Sequence, residues 1–150
     1  ERPEELHKVK KYLSKLSGPL MDRIDIQIEV LPVSFEELSK EKSDEGSLSV
    51  QKRVIASRNK QISRYKKHKI YNNAQLNAGL MEVYCKLDKD SLKLLENAVY
   101  SMNLSARSFT RIKKVARTIA DLDSSVNIEV QHVAEAIQYR SLERLKQFLN

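Results

Sequence analysis

Two arginines stand where their charge asks for a partner. Arg107 falls in the first turn of a helix read over residues 103–122, NLSARSFTRIKKVARTIADL. The positive end of a helix dipole disfavours a cation there, so an anionic partner would offset the cost. Arg23 lies in GPLMDRIDI, where a short segment hands over to an extended run. The plainer alternatives are an exposed Arg107, or one paired with a nearby carboxylate, and an Arg23 bridged to Asp22 or Asp25. Each arginine alone is a weak signal. The pair, in this order and with this local structure, is a stronger one.

More cations lie on a helix read over residues 48–67. Arg53, Lys60, Arg64 and Lys67 could contact the phosphates of DNA. A solvated face, with lysine stems lying over apolar surface, is the plainer reading. Other chemistry is poorly served. There is no G-x-x-x-x-G-K-[ST] pattern, so the chain has no phosphate-cradling loop of its own. His7, His68 and His132 show no metal-ligand spacing with one another or with Cys85. Each reads as a surface or capping histidine, and no metal site is expected. No Ser-His-Asp order has the strand-turn-helix context of a nucleophile. Taken alone, the chain is not expected to be an enzyme.

The bulk properties agree with a helical globular chain. Of 150 residues, 27 are basic and 20 acidic, a formal charge of +7. That excess permits contact with nucleic acid, nucleotide or an acidic partner without demanding it. Cys85 is the single cysteine, which excludes an internal disulfide and fits a cytoplasmic home. No apolar run approaches the ~20 residues that cross a bilayer, so no membrane role is expected. No signal peptide is visible, and the first residue is Glu1 rather than Met, so the chain reads as cut from something longer.

The elements that must position the two arginines follow from periodicity. Three glycines, three prolines and abundant Leu, Lys, Ala and Glu favour helices. In the central helix Ser105 is a suitable N-cap. Phe109, Ile112, Val115, Ala116, Ile119 and Ala120 recur at three- and four-residue steps, with Arg111, Lys113, Lys114 and Arg117 around them. Residues 3–16 read as a helix. In IDIQIEV, Ile24, Ile26, Ile28 and Val30 alternate with Asp25, Gln27 and Glu29, which predicts a strand over 24–30. A lone strand cannot satisfy its backbone or cover its apolar side. Its partners must lie outside this sequence or in another copy, so it should be poorly packed here.

A short helical piece at 35–38 and a polar loop over 39–47 follow. In the helix over 48–67, Val50, Val54, Ile55, Ile62 and Tyr65 share one side. Asn77 is placed to cap a short helix to Cys85, and Asp88 a longer one bearing Leu92, Leu95, Val99 and Met102. Two more helices are expected at 130–140 and 141–149. Short links and matching apolar faces after residue 76 predict a compact bundle. The fold class is therefore mainly α, a helical bundle with one N-terminal strand left over from a neighbouring sheet.

Three strings carry a family likeness: KLSGPLMDRIDIQIEV (15–30), LSARSFTRIKKVARTIADL (104–122) and HVAEAIQYRSLER (132–144). They resemble the C-terminal part of the Mg-chelatase-like AAA+ ATPases of the ComM/YifB type. VQKRVIASRNKQ (50–61) and NAQL (73–76) fit in order, so the likeness runs from Tyr12 to Arg144. Cysteines that the family carries shortly before the position of Tyr12 are absent, and Met21 replaces a usual leucine.

The resemblance implies a ring-forming ATPase, related to the magnesium chelatase motor subunit and to MCM helicases, with its nucleotide-binding core ahead of this region. It implies ATP and Mg2+ as cofactors of the full-length protein, with none expected in this piece. It implies partners that are other copies in a ring, a hexamer, and DNA remodelled by branch migration in natural transformation. By motif position, Arg23 is similar to the family's arginine finger, acting in trans, and Arg107 to its sensor 2 arginine. The implied domains are 1–31 as the tail of the AAA+ core, 32–76 as a linking segment with the long basic helix, and 77–150 as the helical lid bundle. The competing reading is a basic helical module that binds nucleic acid or assembles proteins, with no nucleotide role.

Overall fold

The computed structural model describes residues 11, 12, 15, 17–28, 30, 32, 34, 35 and 45–140. The helices expected at 3–16 and 141–149 lie wholly or mostly outside the described residues, as do most of the piece at 35–38 and the loop at 39–47. The described helices are α1 (Gly18–Met21), α2 (Ser47–Tyr65), α3 (Ala78–Tyr84), α4 (Lys89–Ser101), α5 (Ala106–Leu122) and α6 (Val130–Gln138), with 3-10 turns at Lys66–His68 and Asn73–Gln75. The chain is mainly helical, as its periodicity predicts.

Each capping expectation has a local hydrogen bond behind it. The Ser105 hydroxyl accepts from the Ser108 N–H at 3.1 Å and starts α5. Asn77 does the same for α3 through Leu80, and Asp88 for α4 through Ser91. That bond holds the Asp88 carboxyl below its ordinary range. At their C-termini, α4 and α5 both close in six-to-one turns with a non-glycine residue in the left-handed region. Asn103 has φ 48°, and the Leu104 N–H donates to the Val99 carbonyl at 3.0 Å. Ser124 has φ 64°, and the Ser125 N–H donates to the Ala120 carbonyl at 2.8 Å.

The core forms where α5 meets α6 and α2, and where α4 meets α6. Ile112, Ala116 and Ala120 of α5 are buried against Val133 and Ala136 of α6 and Leu95 and Ala98 of α4, in one apolar cluster. The alanines let the backbones approach closely, and loss of void space at such contacts is what close packing rewards. Cys85 is buried in the same cluster, and burial pushes its thiol pKa up.

Two expectations change on folding. Of the apolar side predicted for α2, only Tyr65 is buried. Val50, Val54, Ile55 and Ile62 are exposed, while Ser57 and Gln61 face inward and Lys60 and Arg64 are half-buried. The physical reason is Asp121 on α5, a buried carboxylate that must be given donors. Residues 24–28 do not enter a ladder: Gln27 makes a single parallel bridge to Arg140. Its side chain is 4 % exposed while Ile26 is 50 % and Ile28 66 % exposed. The alternation is real, and among the described residues its isoleucine side is exposed.

Candidate functional site

The first two turns of α5 and the segment 22–27 form one junction. Asp22 Oδ1 accepts from the Ser108 hydroxyl at 3.1 Å, and Asp25 is ion-paired with Arg111. The Gln27 N–H donates to the Tyr139 carbonyl at 2.7 Å, at the end of α6. Arg140 completes the junction by donating to the Ile24 carbonyl at 2.5 Å and to the Ser108 hydroxyl at 2.7 Å. Arg23 therefore lies between two anchored residues, and Arg107 immediately precedes a third.

Both candidate arginines are exposed. Neither guanidinium has a hydrogen bond or ion pair among the described residues. The carboxylates nearest to Arg23 in sequence are engaged elsewhere, Asp22 by Ser108 and Asp25 by Arg111. The salt bridge that would have made Arg23 ordinary is not formed.

Arg107 opens onto a cleft of about 520 Å³ whose walls include Asp25, Ile26, Arg111, Lys114 and Tyr139, with Val115, Ile119 and Leu122 as apolar floor. Arg107, Arg111 and Lys114 follow one another at helical spacing along α5. Arg111 is held by Asp25, and Lys114 donates to the Ala74 carbonyl at 2.9 Å. The cleft thus carries three cations of α5 against two carboxylates, Asp25 and Glu135, among apolar side chains. Planar guanidinium groups in such a place suit a polyphosphate or another oxyanion. Among the described residues no group of His, Cys, Asp or Glu side chains is arranged to hold a metal ion.

The four cations of α2 and the turn after it divide. Arg53 pairs at 2.7 Å with Glu45 on the surface, an arrangement of small energetic weight. The Glu45 carboxyl is lowered first by the Ser49 hydroxyl and then by Arg53. Lys67 is exposed in the 3-10 turn. Lys60 and Arg64 point inward: Lys60 donates to the Asp121 carbonyl at 3.3 Å, and Arg64 grips the Asp121 carboxylate through both Nη atoms. That grip raises the Arg64 pKa further above its ordinary range.

Sequence reasoning missed the polar interior. Arg117, Asp121, Ser108 and Arg140 are all buried. A faint signal was present, since Arg117 and Asp121 are four residues apart beside Ala116 and Ala120, the spacing of an ion pair on one helix face. His132 is a capping histidine, as one of its two expectations had it, and not a surface one. Its Nδ1 accepts from the Glu129 N–H at 2.9 Å, and the ring is 2 % exposed. His68 is exposed and meets the Tyr84 hydroxyl at 2.9 Å; His7 lies outside the described residues. No described helix is long and apolar enough to cross a membrane.

The profile of the family described as "Magnesium chelatase, subunit ChlI C-terminal" matches residues 44–140, and that of "Magnesium chelatase, subunit ChlI" matches residues 3–38. The chain is 40 % identical over 136 residues to the protein named YifB of Salmonella typhimurium, covering 90 % of this chain and 26 % of that protein. It is 39 % identical over 142 residues to "Competence protein ComM" of Haemophilus influenzae, covering 95 % of this chain and 27 % of that one. The chain spans about a quarter of the length of these curated relatives. Across the α5 junction and the bundle it supports, the chain belongs to the magnesium chelatase subunit ChlI C-terminal family and is a Mg-chelatase-like protein of the ComM/YifB type.

Proposed function

We propose that this chain is the C-terminal part of a ring-forming AAA+ ATPase, with 1–31 as the tail of the core, 32–76 as linker and 77–150 as lid. Arg107 reads the nucleotide of its own subunit as sensor 2. Arg23 reaches the nucleotide of the neighbouring subunit as arginine finger. The observation that carries this reading is the pair of exposed guanidinium groups, both without partners among the described residues, on either side of one anchored junction. The cleft beside Arg107 supports it, being basic along α5 and apolar beneath.

ATP with Mg2+, held by a core ahead of this region, would supply the γ-phosphoryl group to be cleaved. The residues described here hold charge and position. A guanidinium stays ionised through the reaction and can donate two parallel hydrogen bonds to phosphate oxygens as negative charge builds on them. Coupling of turnover to DNA remodelling, in the cytoplasm, extends the reading through the kinship with ComM. A nucleic-acid module built directly on α2 is less well supported, because Lys60 and Arg64 are committed to Asp121.

The test is ATP turnover by the longer, ring-forming protein. Removing an arginine finger costs ~10³–10⁵ in related phosphoryl-transfer systems. Arg23→Ala and Arg107→Ala are each expected to cut turnover by at least about 100-fold while thermal unfolding stays close to wild type. Wild-type turnover in both variants would remove the assignment.

A further inference from the structure

Arg140 is fully buried at the end of α6, and the mechanism proposed above does not use it. Its two Nη atoms serve different parts of the chain. Nη1 donates to the Ile24 carbonyl, the residue after Arg23. Nη2 donates to the Ser108 hydroxyl, the residue after Arg107, and lies 4.0 Å from Asp22, the residue before Arg23. Ser108 in turn donates to Asp22. The backbone bond from Gln27 to Tyr139 ties the same loop to the residue before Arg140.

We infer that Arg140 is a positioning residue that sets Arg23 and Arg107 relative to one another, so that the cis and trans contacts to nucleotide are made by one rigid unit. Burying a guanidinium is costly, and apolar packing would fill the same space at lower cost. What an apolar side chain cannot do is join three separate segments through a planar fork. Lysine keeps the charge but has no fork, so it cannot hold the Ile24 carbonyl and Ser108 in the same geometry. Any displacement of the first turn of α5, as Arg107 meets an anion, is carried through Ser108 and Arg140 to both flanks of Arg23. The inference rests on the nucleotide reading, and its test separates the two.

The experiment measures ATP turnover of the longer ring-forming protein as wild type, Arg23→Ala, Arg140→Lys and the double variant. Arg140→Lys is expected to lower kcat about tenfold or more with KM for ATP within about twofold, as for misplacement of a catalytic group. The double variant is expected to be slower than Arg23→Ala by clearly less than the factor Arg140→Lys costs alone, because only the share of Arg140 that acts through Arg107 remains. Wild-type kcat in Arg140→Lys, or a double variant slowed by the product of the single effects, overturns the inference. Amide hydrogen exchange on the same proteins gives a readout independent of activity. Residues 22–25 and 107–109 are expected to exchange faster in Arg140→Lys, and unchanged exchange there overturns the inference whatever the turnover.

If Arg140→Lys does not fold, Ser108→Ala takes its place. It removes the hydroxyl between Arg140 and Asp22 and is expected to show the same pattern at smaller size, about threefold in kcat. Wild-type kcat or additive behaviour with Arg23→Ala overturns the inference there too. Normal turnover in Arg23→Ala and Arg107→Ala would instead sink the nucleotide reading itself, whichever way the exchange data fall.

Discussion

Two buried arginine clusters grip α5, one near each end, and they are built differently. Near the C-terminal end, the Asp121 carboxylate accepts from Arg64 and the Asn73 amide and is ion-paired with Arg117, which donates to the Ser125 and Val126 carbonyls. Near the N-terminal end, Arg140 donates to a carbonyl and a hydroxyl, with the Asp22 carboxylate set back at 4.0 Å. The first cluster centres on a carboxylate and joins elements already packed by the core. The second centres on a cation and joins the bundle to the exposed loop that carries Arg23. A polar cluster around a buried carboxylate locks packing, whereas one at an exposed loop fixes where that loop's side chains stand.

The largest effect expected from breaking this comparison is at Asp121. Asp121→Asn leaves Arg117 buried without its carboxylate, and Arg64 without a bidentate partner. Disrupting such a pair costs about 3–5 kcal/mol, read as a shift in the urea midpoint at constant slope. A change below about 1 kcal/mol would mean the C-terminal cluster holds the fold no more firmly than a surface pair.

A smaller effect is expected at the start of α5, in the turn that carries Ser108 of the Arg140 cluster. Ser105→Ala removes the N-cap and should cost about 1 kcal/mol. A loss several times larger would mean that the cap also sets the Ser108 end of the Arg140 cluster, and would sharpen the contrast.

The smallest is a pH effect remote from both clusters. Asp88 caps α4 and has a folded pKa below its ordinary value, caused first by the Ser91 N–H. Its unfolded state therefore binds protons more readily, so the cap's contribution is present above the ordinary carboxylate range and lost as pH falls through the depressed folded value. The difference in stability between wild type and Asp88→Ala should shrink on acidification. A difference that grows with acid would reverse the sign and discard this account of the cap.

The capped helices and the mainly helical class were legible in residue order. The caps at Asn77, Asp88 and Ser105 could be placed because an N-cap acts within a single turn, on backbone groups three residues away. The apolar period of α5 was legible for the same reason: it belongs to one helix. The inward face of α2 was not legible. Arg64 and Asp121 are 57 positions apart, and nothing local to either one indicates that a buried carboxylate would turn a polar stripe inward and leave Val54 and Ile55 in solvent. Arg140 is the sharper case, since its partner at Ile24 lies 116 positions away. Short-range electrostatics and helical period are properties of neighbouring residues. The choice of which polar groups to bury is settled only when distant segments meet, because the cost of an unsatisfied charge depends on the donors and acceptors that tertiary packing brings to it.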